Sequence, residues 1–370
     1  MKFMDLVVKE NSLREEIRKV FEDVLASGQY VGGRYVEEFE REFARWTGTK
    51  YCVSVSSGTD ALKYALKALD IGPGDEVITT PLTFIATAEA IVLVGAKPVF
   101  VDVDSDSFLL DPSLLEEKIT EKTKAIIPVH LFGAVCDMDR IKEVASKYGI
   151  AVVEDAAQAH GAVYKGGKAG SLGDIAAFSF YPTKNLSAFG EAGAVTTDSA
   201  ELARKVNLIK NHGQTKPYYH ELLGENGRMD AIQAGVLLAK LKYLEKWNEK
   251  RRRLAEVYIQ ELQGIEEVKF QKIPADSQSV YHLFVILTPY RKSLAKFLEA
   301  RGIPARIYYP VPLHLQPVFD YLGYKEGDFP NAELISKQLL ALPMGPWMEE
   351  EEVVEVSKAV KEGLAVSALK

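Results

Sequence analysis

The sequence predicts an α/β protein: a large domain built on a mostly parallel sheet, then a smaller α+β domain. Three observations carry that prediction. Short apolar, β-branched runs alternate with helical patterns over residues 37–197. Those runs are bounded by Gly, Pro and Asp turns. Beyond about residue 230 the texture changes to a long stretch nearly free of Gly and Pro.

The elements follow in order. Glu37 to Trp46 alternates charges and aromatics at helical spacing. Tyr51-Cys-Val-Ser-Val-Ser is a short strand, and Ser57-Gly58-Thr59-Asp60 opens a helical pattern from Ala61 to Leu69. Ile71-Gly-Pro-Gly-Asp75 is a turn. Glu76–Thr80 reads as strand, Thr83–Val94 as helix and Lys97–Asp102 as strand. Lys124–His130, Ile150–Asp155, Ala176–Phe180 and Gly193–Thr197 complete the strand set. Such continuous apolar strands suit a sheet covered by helices on both faces. Asp230 to Tyr258 repeats apolar residues at helical spacing. Tyr281–Leu287 is a strand, Arg291–Ala300 a helix and Glu349–Leu364 a terminal amphipathic helix. The expected division is a large domain over 12–245 and a small one over 246–370.

Composition bounds the function. The chain has 370 residues, 47% hydrophobic and 26% charged, which are ordinary globular values. The net charge of −7 offers no footprint for nucleic acid. The basic run Lys246 to Arg253 therefore reads as the solvated face of a helix. No apolar run is long enough to span a bilayer, and the first ten residues lack the apolar core of a signal peptide. Only Cys52 and Cys136 occur, so no disulfide framework is expected and a cytoplasmic location follows. No metal site is expected. Abundant Lys and Glu beside scarce Asn and Gln hint at a thermophilic source.

Two segments carry chemistry. Lys184 lies in Phe178-Ser-Phe-Tyr-Pro-Thr-Lys184-Asn-Leu, a polar loop between two apolar strands. Upstream, Val152-Val-Glu-Asp155-Ala-Ala-Gln158-Ala-His160-Gly161 ends a strand on a carboxylate. In an open parallel sheet, strand C-termini face the ligand crevice. A lysine nucleophile beside such a carboxylate is what pyridoxal phosphate (PLP) requires: the amine forms the Schiff base, and the aspartate keeps the pyridine nitrogen protonated. Asp155 read alone is equally a helix N-cap. Gly58 and Thr59 sit where free N–H groups at a helix start hold phosphate, and Ser179 adds a hydroxyl; read alone, the Ser-Gly-Thr turn is ordinary capping. Phe84 follows a strand end and offers a ring to stack, although core packing is its simpler reading.

Taken together, Ser57-Gly-Thr-Asp-Ala-Leu62, Pro81-Leu-Thr-Phe-Ile-Ala-Thr87, Glu154-Asp-Ala-Ala-Gln-Ala-His-Gly161, Ser179-Phe-Tyr-Pro-Thr-Lys-Asn185 and Asn226-Gly-Arg-Met229 are similar to the DegT–DnrJ–StrS group. These are PLP-dependent nucleotide-sugar aminotransferases with the aspartate aminotransferase fold (fold type I). The resemblance spans nearly the whole chain. It implies that Lys184 is the Schiff-base lysine and proton shuttle, and that Asp155 pairs with the pyridine nitrogen. Gln158 would contact the ring hydroxyl and Phe84 would stack on the ring. Gly58, Thr59 and Ser179 would hold the phosphate. Asn226 would reach the phosphate of the neighbouring subunit's cofactor, making the active unit a homodimer with shared sites. L-glutamate would donate the amine and leave as 2-oxoglutarate, and a nucleotide-linked keto-sugar would accept it.

The resemblance also bears on the substrate. Tyr181-Pro-Thr-Lys184 and Ile307-Tyr-Tyr-Pro-Val-Pro-Leu-His-Leu-Gln316 look like the 3-keto-sugar branch, with Tyr181, Tyr308, Tyr309 and His314 facing the hexose. A dTDP-linked 3-keto-6-deoxyhexose is the expected acceptor; a 4-keto or UDP-linked sugar is the alternative. The chain departs from that branch at Tyr308, where His is frequent, and at Glu191, where Asp is frequent. His314 has a second reading, in which it only orders its loop. Two rivals remain. Sugar dehydratases on this scaffold replace the lysine, usually with His, which Lys184 argues against. A non-catalytic regulator would not need the full cofactor set.

Overall fold

The computed structural model describes residues 1–368. Seven strands form the central sheet: β1 (Tyr51–Val55), β2 (Glu76–Thr79), β3 (Lys97–Phe100), β4 (Thr123–Ile126), β5 (Ala151–Asp155), β6 (Ile175–Ser179) and β7 (Gly193–Thr197). Their spatial order is β1-β7-β6-β5-β4-β2-β3. Pairings from β3 across to β6 are parallel, whereas β7 runs antiparallel to both β6 and β1. The reversal has a local cause. β6 and β7 are joined directly by the lysine loop, with no crossover helix, and such a connection reverses the chain.

Alternate residues of each strand enter two different cores. Ile78, Ile126, Val152 and Ala176 join one apolar cluster, and Val77, Ala125, Val153 and Ala177 join another. The sheet is thus buried on both faces, as its continuous apolar runs require.

Helices α1 (Asn11–Ser27), α2 (Arg34–Thr47), α3 (Gly58–Ala68), α4 (Ala86–Leu93), α5 (Met138–Tyr148), α6 (Ala200–Ile209) and α7 (Ala231–Leu241) accompany this sheet. Two of them differ from expectation. The helix expected from Thr83 begins at Ala86, because Thr80 Oγ1 accepts from Leu82 N and bends the chain after the strand. That keeps Phe84 out of the helix. The single run expected over Asp230–Tyr258 is two helices, α7 and α8 (Leu244–Leu262), broken at Lys242–Tyr243.

Past α8, three strands pair antiparallel in the order β8 (Lys269–Phe270), β9 (Phe284–Leu287), β10 (Leu339–Leu342). Together with α8, helices α9 (Arg291–Ala300) and α11 (Glu350–Ala368) share one apolar cluster with these strands, from Leu254 to Leu364; α10 (Pro330–Gln338) precedes β10. The first ten residues form an extended arm, and Phe3 accepts a hydrogen bond from Met344 N through its carbonyl. No helix among the described residues is long and apolar enough to cross a membrane.

Candidate active site

The C-terminal ends of β5 and β6 and the start of α3 converge. Asp155 is the last residue of β5, 6% exposed. Its Oδ2 accepts from Thr87 Oγ1 at 2.7 Å and its Oδ1 from Ala157 N at 3.1 Å. Burial pushes the carboxyl up, against the pull of those two donors and of the Lys184 and His130 charges. No cation is bonded to it among the described residues. A buried carboxylate held ready for a cationic partner is what a protonated pyridine nitrogen would complete.

Lys184 is partly covered at its surface and deeply enclosed by protein. Burial pushes its amine down to about 8, and the Asp155 charge opposes that shift. A buried amine with a lowered pKa is a competent nucleophile near neutrality. The loop carrying it is anchored to α8. Asn185 Nδ2 donates to Asn248 Oδ1 at 3.0 Å, and His282 Nδ1 donates to Asn185 Oδ1 at 3.2 Å. Asn248 Nδ2 donates to the His160 carbonyl at 2.8 Å. His160 itself is buried between Phe178 and Phe180 with neither ring nitrogen bonded. Burial, then the Lys184 charge, push His160 down to about 3, so it adds no positive charge beside the lysine.

Gly58 begins α3, and Ser57 caps that helix by accepting from Asp60 N. A Cβ on Gly58 would lie 2.5 Å from Ser179 Cβ, so the helix start and the end of β6 touch. Gly58, Thr59 and Ser179 therefore form one cradle of backbone N–H and hydroxyl groups, suited to a phosphate. Phe84 is 55% exposed, which sets aside the core-packing reading. Its ring lies 6.2 Å from Tyr309. Tyr309 receives Gln158 Nε2 at 3.1 Å, and Gln158 Oε1 accepts from Phe132 N at 2.8 Å. Lysine, buried acid, phosphate cradle and exposed ring fit PLP as a set.

Tyr181 is 45% exposed beside the lysine, and Tyr308 packs against Phe3 of the arm. His314 lies elsewhere than a sugar-facing position requires. It is 1% exposed, its Nε2 is 3.1 Å from Glu333 Oε1, and its ring packs edge-on against Phe329. That is the loop-ordering arrangement. Asn226 is exposed and bridges Asn211 on the backbone, while its neighbour Gly227 accepts from Ser56 N.

Two contributions escaped sequence reasoning. Thr87 lies inside a quoted segment, but nothing in its surroundings marks it as the donor to Asp155. Beneath Asp155, Glu154 takes amide protons from Gly170, Leu172 and Gly173 and pairs with His130 Nε2 at 2.9 Å. Burial lowers His130, and its contacts with Cys136 and Glu154 push it up instead; Cys136 N donates to Nδ1 at 3.3 Å, so the ring meets Glu154 through Nε2.

A family model described as DegT/DnrJ/EryC1/StrS aminotransferase matches residues 11–361. The chain belongs to that family. It is a PLP-dependent sugar aminotransferase. Among its relatives, a Geobacillus stearothermophilus protein named a pleiotropic regulatory protein is 44% identical and covers 97% of both chains. The dTDP-3-amino-3,4,6-trideoxy-alpha-D-glucose transaminase of Streptomyces venezuelae is 44% identical over 97% of this chain and 95% of its own. The solved structure of S. venezuelae DesV with a ketimine intermediate superposes with a TM-score of 0.95, at 44% identity, over 98% of this chain and 97% of that one. The PLP form of a sugar aminotransferase from Streptococcus pneumoniae gives 0.90 at 30% identity, over 95% and 97%. The aminotransferase thus shares both sequence and fold with proteins solved with the cofactor bound.

Proposed function

We propose that this aminotransferase moves the amino group of L-glutamate to carbon 3 of a dTDP-linked 3-keto-6-deoxyhexose. The observation that carries the chemistry is the convergence of Lys184 and Asp155 on one crevice at the sheet's C-terminal edge. PLP supplies an electron sink when bound there. Asp155 would hold the charge at its nitrogen, Phe84 would cover the ring and the Gly58–Ser179 cradle would take the phosphate. Lys184 Nζ would serve as the base that takes the proton from the donor's amine-bearing carbon and carries it onward, and the two half-reactions would share this one site. Tyr181 and Tyr309 offer hydroxyls on rigid rings to orient the hexose. The acceptor assignment draws support from the S. venezuelae transaminase, whose name places nitrogen on carbon 3.

We further assign Asn226 to the partner subunit's phosphate in a homodimer. The exposed apolar residues Tyr218 and Leu223, on the same segment, support a covered surface there. A domain boundary near 246, at the start of α8, and a reducing cytoplasm that keeps Cys52 and Cys136 free complete the reading.

The test is direct. Cofactor-loaded protein is incubated with glutamate and a panel of dTDP- and UDP-linked 3-keto and 4-keto sugars, and products are identified by mass and NMR. A preference for a 4-keto or UDP-linked sugar overturns the acceptor; no turnover with any sugar overturns the whole reading. Mixing dissociated Lys184→Ala chains with Asn226→Ala chains restores a working site only if sites are shared.

A further inference from the structure

Asn226 is exposed, yet the residues on either side of it are both fastened to α3. On one side, Glu225 Oε1 accepts from Lys67 Nζ at 2.5 Å, and its Oε2 is paired with Lys63 Nζ. The Lys63 side chain is 13% exposed and meets Asp60 at 2.8 Å as well. On the other side, the Gly227 carbonyl accepts from Ser56 N at 2.9 Å. A Cβ on Gly227 would collide with the Tyr64 hydroxyl, so the chain presses directly on the helix there.

That helix already has a task. It opens with Gly58 and Thr59, the cradle for the chain's own cofactor phosphate. Lys63 lies one turn beyond Thr59 and Lys67 two turns beyond, so both lysines share one face. A single carboxylate therefore bridges successive turns of the helix that holds the phosphate. The other ties of the segment run to the end of α6 through the backbone. Glu225 N donates to the Ile209 carbonyl at 2.7 Å and Gly227 N to the Lys210 carbonyl at 2.9 Å. Any residue at 225 would keep those bonds. What the Glu225 side chain adds is the tie to α3, and because Lys63 is largely covered, salt screens that tie less than it screens a surface pair.

We propose that Glu225 is a positioning residue: clamped by Lys63 and Lys67, it fixes where Asn226 points and so sets the cofactor affinity of the partner subunit's site. The proposal rests on the assignment of Asn226 to the partner's phosphate and deepens it. One helix then holds its own phosphate at its start and steadies the group that reaches the other phosphate through its later turns. Without the clamp the segment keeps its backbone bonds, but Asn226 gains freedom. Its hydrogen bond to phosphate must then bear the cost of ordering it. The effect has a direction: loss of the Glu225 charge weakens cofactor binding in the other chain's site and spares its own.

The test uses full-length hybrid dimers in which one chain carries Lys184→Ala, so only the other chain's site can bind PLP covalently and turn yellow. Different affinity tags on the two chains isolate the hybrid, and titrating PLP while following the colour gives the Kd of that one site. Glu225→Gln on the lysine-less chain should weaken PLP about threefold to tenfold; on the lysine-bearing chain it should leave the Kd unchanged. Lys67→Met should repeat that pattern, and decides alone should Glu225→Gln fail to fold. Asp70→Asn cuts the Lys205–Asp70 ion pair just beyond α3; it is the control and should change neither arrangement. A loss that follows the lysine-bearing chain, or that is equal in both arrangements, overturns the proposal, since Glu225 would then act on its own cradle or on the fold. No loss in either arrangement overturns it too. Asn226→Ala in the same two arrangements tests the reading beneath. If its loss follows the lysine-less chain while that of Glu225→Gln does not, sharing stands and the clamp falls. If its loss does not follow that chain, Asn226 does not serve the partner, and the clamp falls with that assignment.

Discussion

Replacing Asp155 by Asn separates two effects that the structure couples. Burial brings the Lys184 amine from 10.5 to about 8, and the Asp155 charge is what stops it falling further. At about pH 7.5 an amine at 10.5 is unprotonated about one time in a thousand, whereas one at about 8 is free about one time in four. Removing the carboxylate's charge leaves burial unopposed, so the lysine titrates below about 8 in the variant. The rate at which apoprotein takes up PLP, followed by the appearance of colour in stopped flow, should therefore reach its plateau at lower pH in Asp155→Asn than in the parent.

The same substitution should slow the glutamate half-reaction. Losing the charge at the pyridine nitrogen weakens the electron sink, and a few kcal/mol in the barrier is roughly a hundredfold or more in rate. The fold should survive. Thr87 Oγ1 and Ala157 N donate to different oxygens of Asp155, and Asn can accept only one of them. The residual cost is about 1–3 kcal/mol. A profile that stays put or moves to higher pH would show that Asp155 does not act on the lysine's charge. An unchanged glutamate rate would place the pyridine partner elsewhere.

Thr87→Val keeps the shape and deletes the donor to Asp155 Oδ2; the glutamate half-reaction should fall about tenfold and Thr87→Ser should restore it, with little change in cofactor content. Glu154→Gln puts an amide NH2 where His130 and the amides of Gly170, Leu172 and Gly173 all donate to the carboxylate, and should cost about 1–3 kcal/mol read by denaturant unfolding. His314→Ala should lower the melting temperature and slow both half-reactions alike, because the ring supports Glu333 and Phe329; a defect confined to the sugar half-reaction would restore its sugar-facing role.

Much of this molecule is legible as text because its strands are buried on both faces. Each of β1, β2, β4, β5 and β6 reads as a short, largely apolar run, and the cofactor motifs sit where those runs stop. The end of β5 at Asp155 and the loop after β6 could be located for that reason alone. Phe84 was harder. An aromatic after a strand reads as core until the Thr80 bend is seen to delay the helix and leave the ring outside. His314 failed the other way. In the text it is a polar residue among prolines, suited to a pocket, and only the packing of α10 brings Glu333 to its Nε2.

Lys240 and Arg251 mark the deeper limit. Lys240 falls near the end of α7 in Leu237-Leu-Ala-Lys240-Leu, where a lysine ordinarily serves the helix C-terminus and extends its head to water. Arg251 opens Arg251-Arg-Arg253, whose neighbours do behave as surface cations: Arg252 pairs with Glu245 and Arg253 with Glu350. Sequence cannot tell the first arginine from the other two. The distinction arises from the break at Lys242–Tyr243, which sets the rotation of α8. Successive residues on a helix point about 100° apart, so of three adjacent arginines one can face the lysine loop while its neighbours stay with their glutamates. The burial of Arg251 against the Tyr281 and His282 carbonyls is therefore a property of helix rotation, and a substitution that re-sets α8 about its axis would expose it without touching any residue of the cofactor motifs.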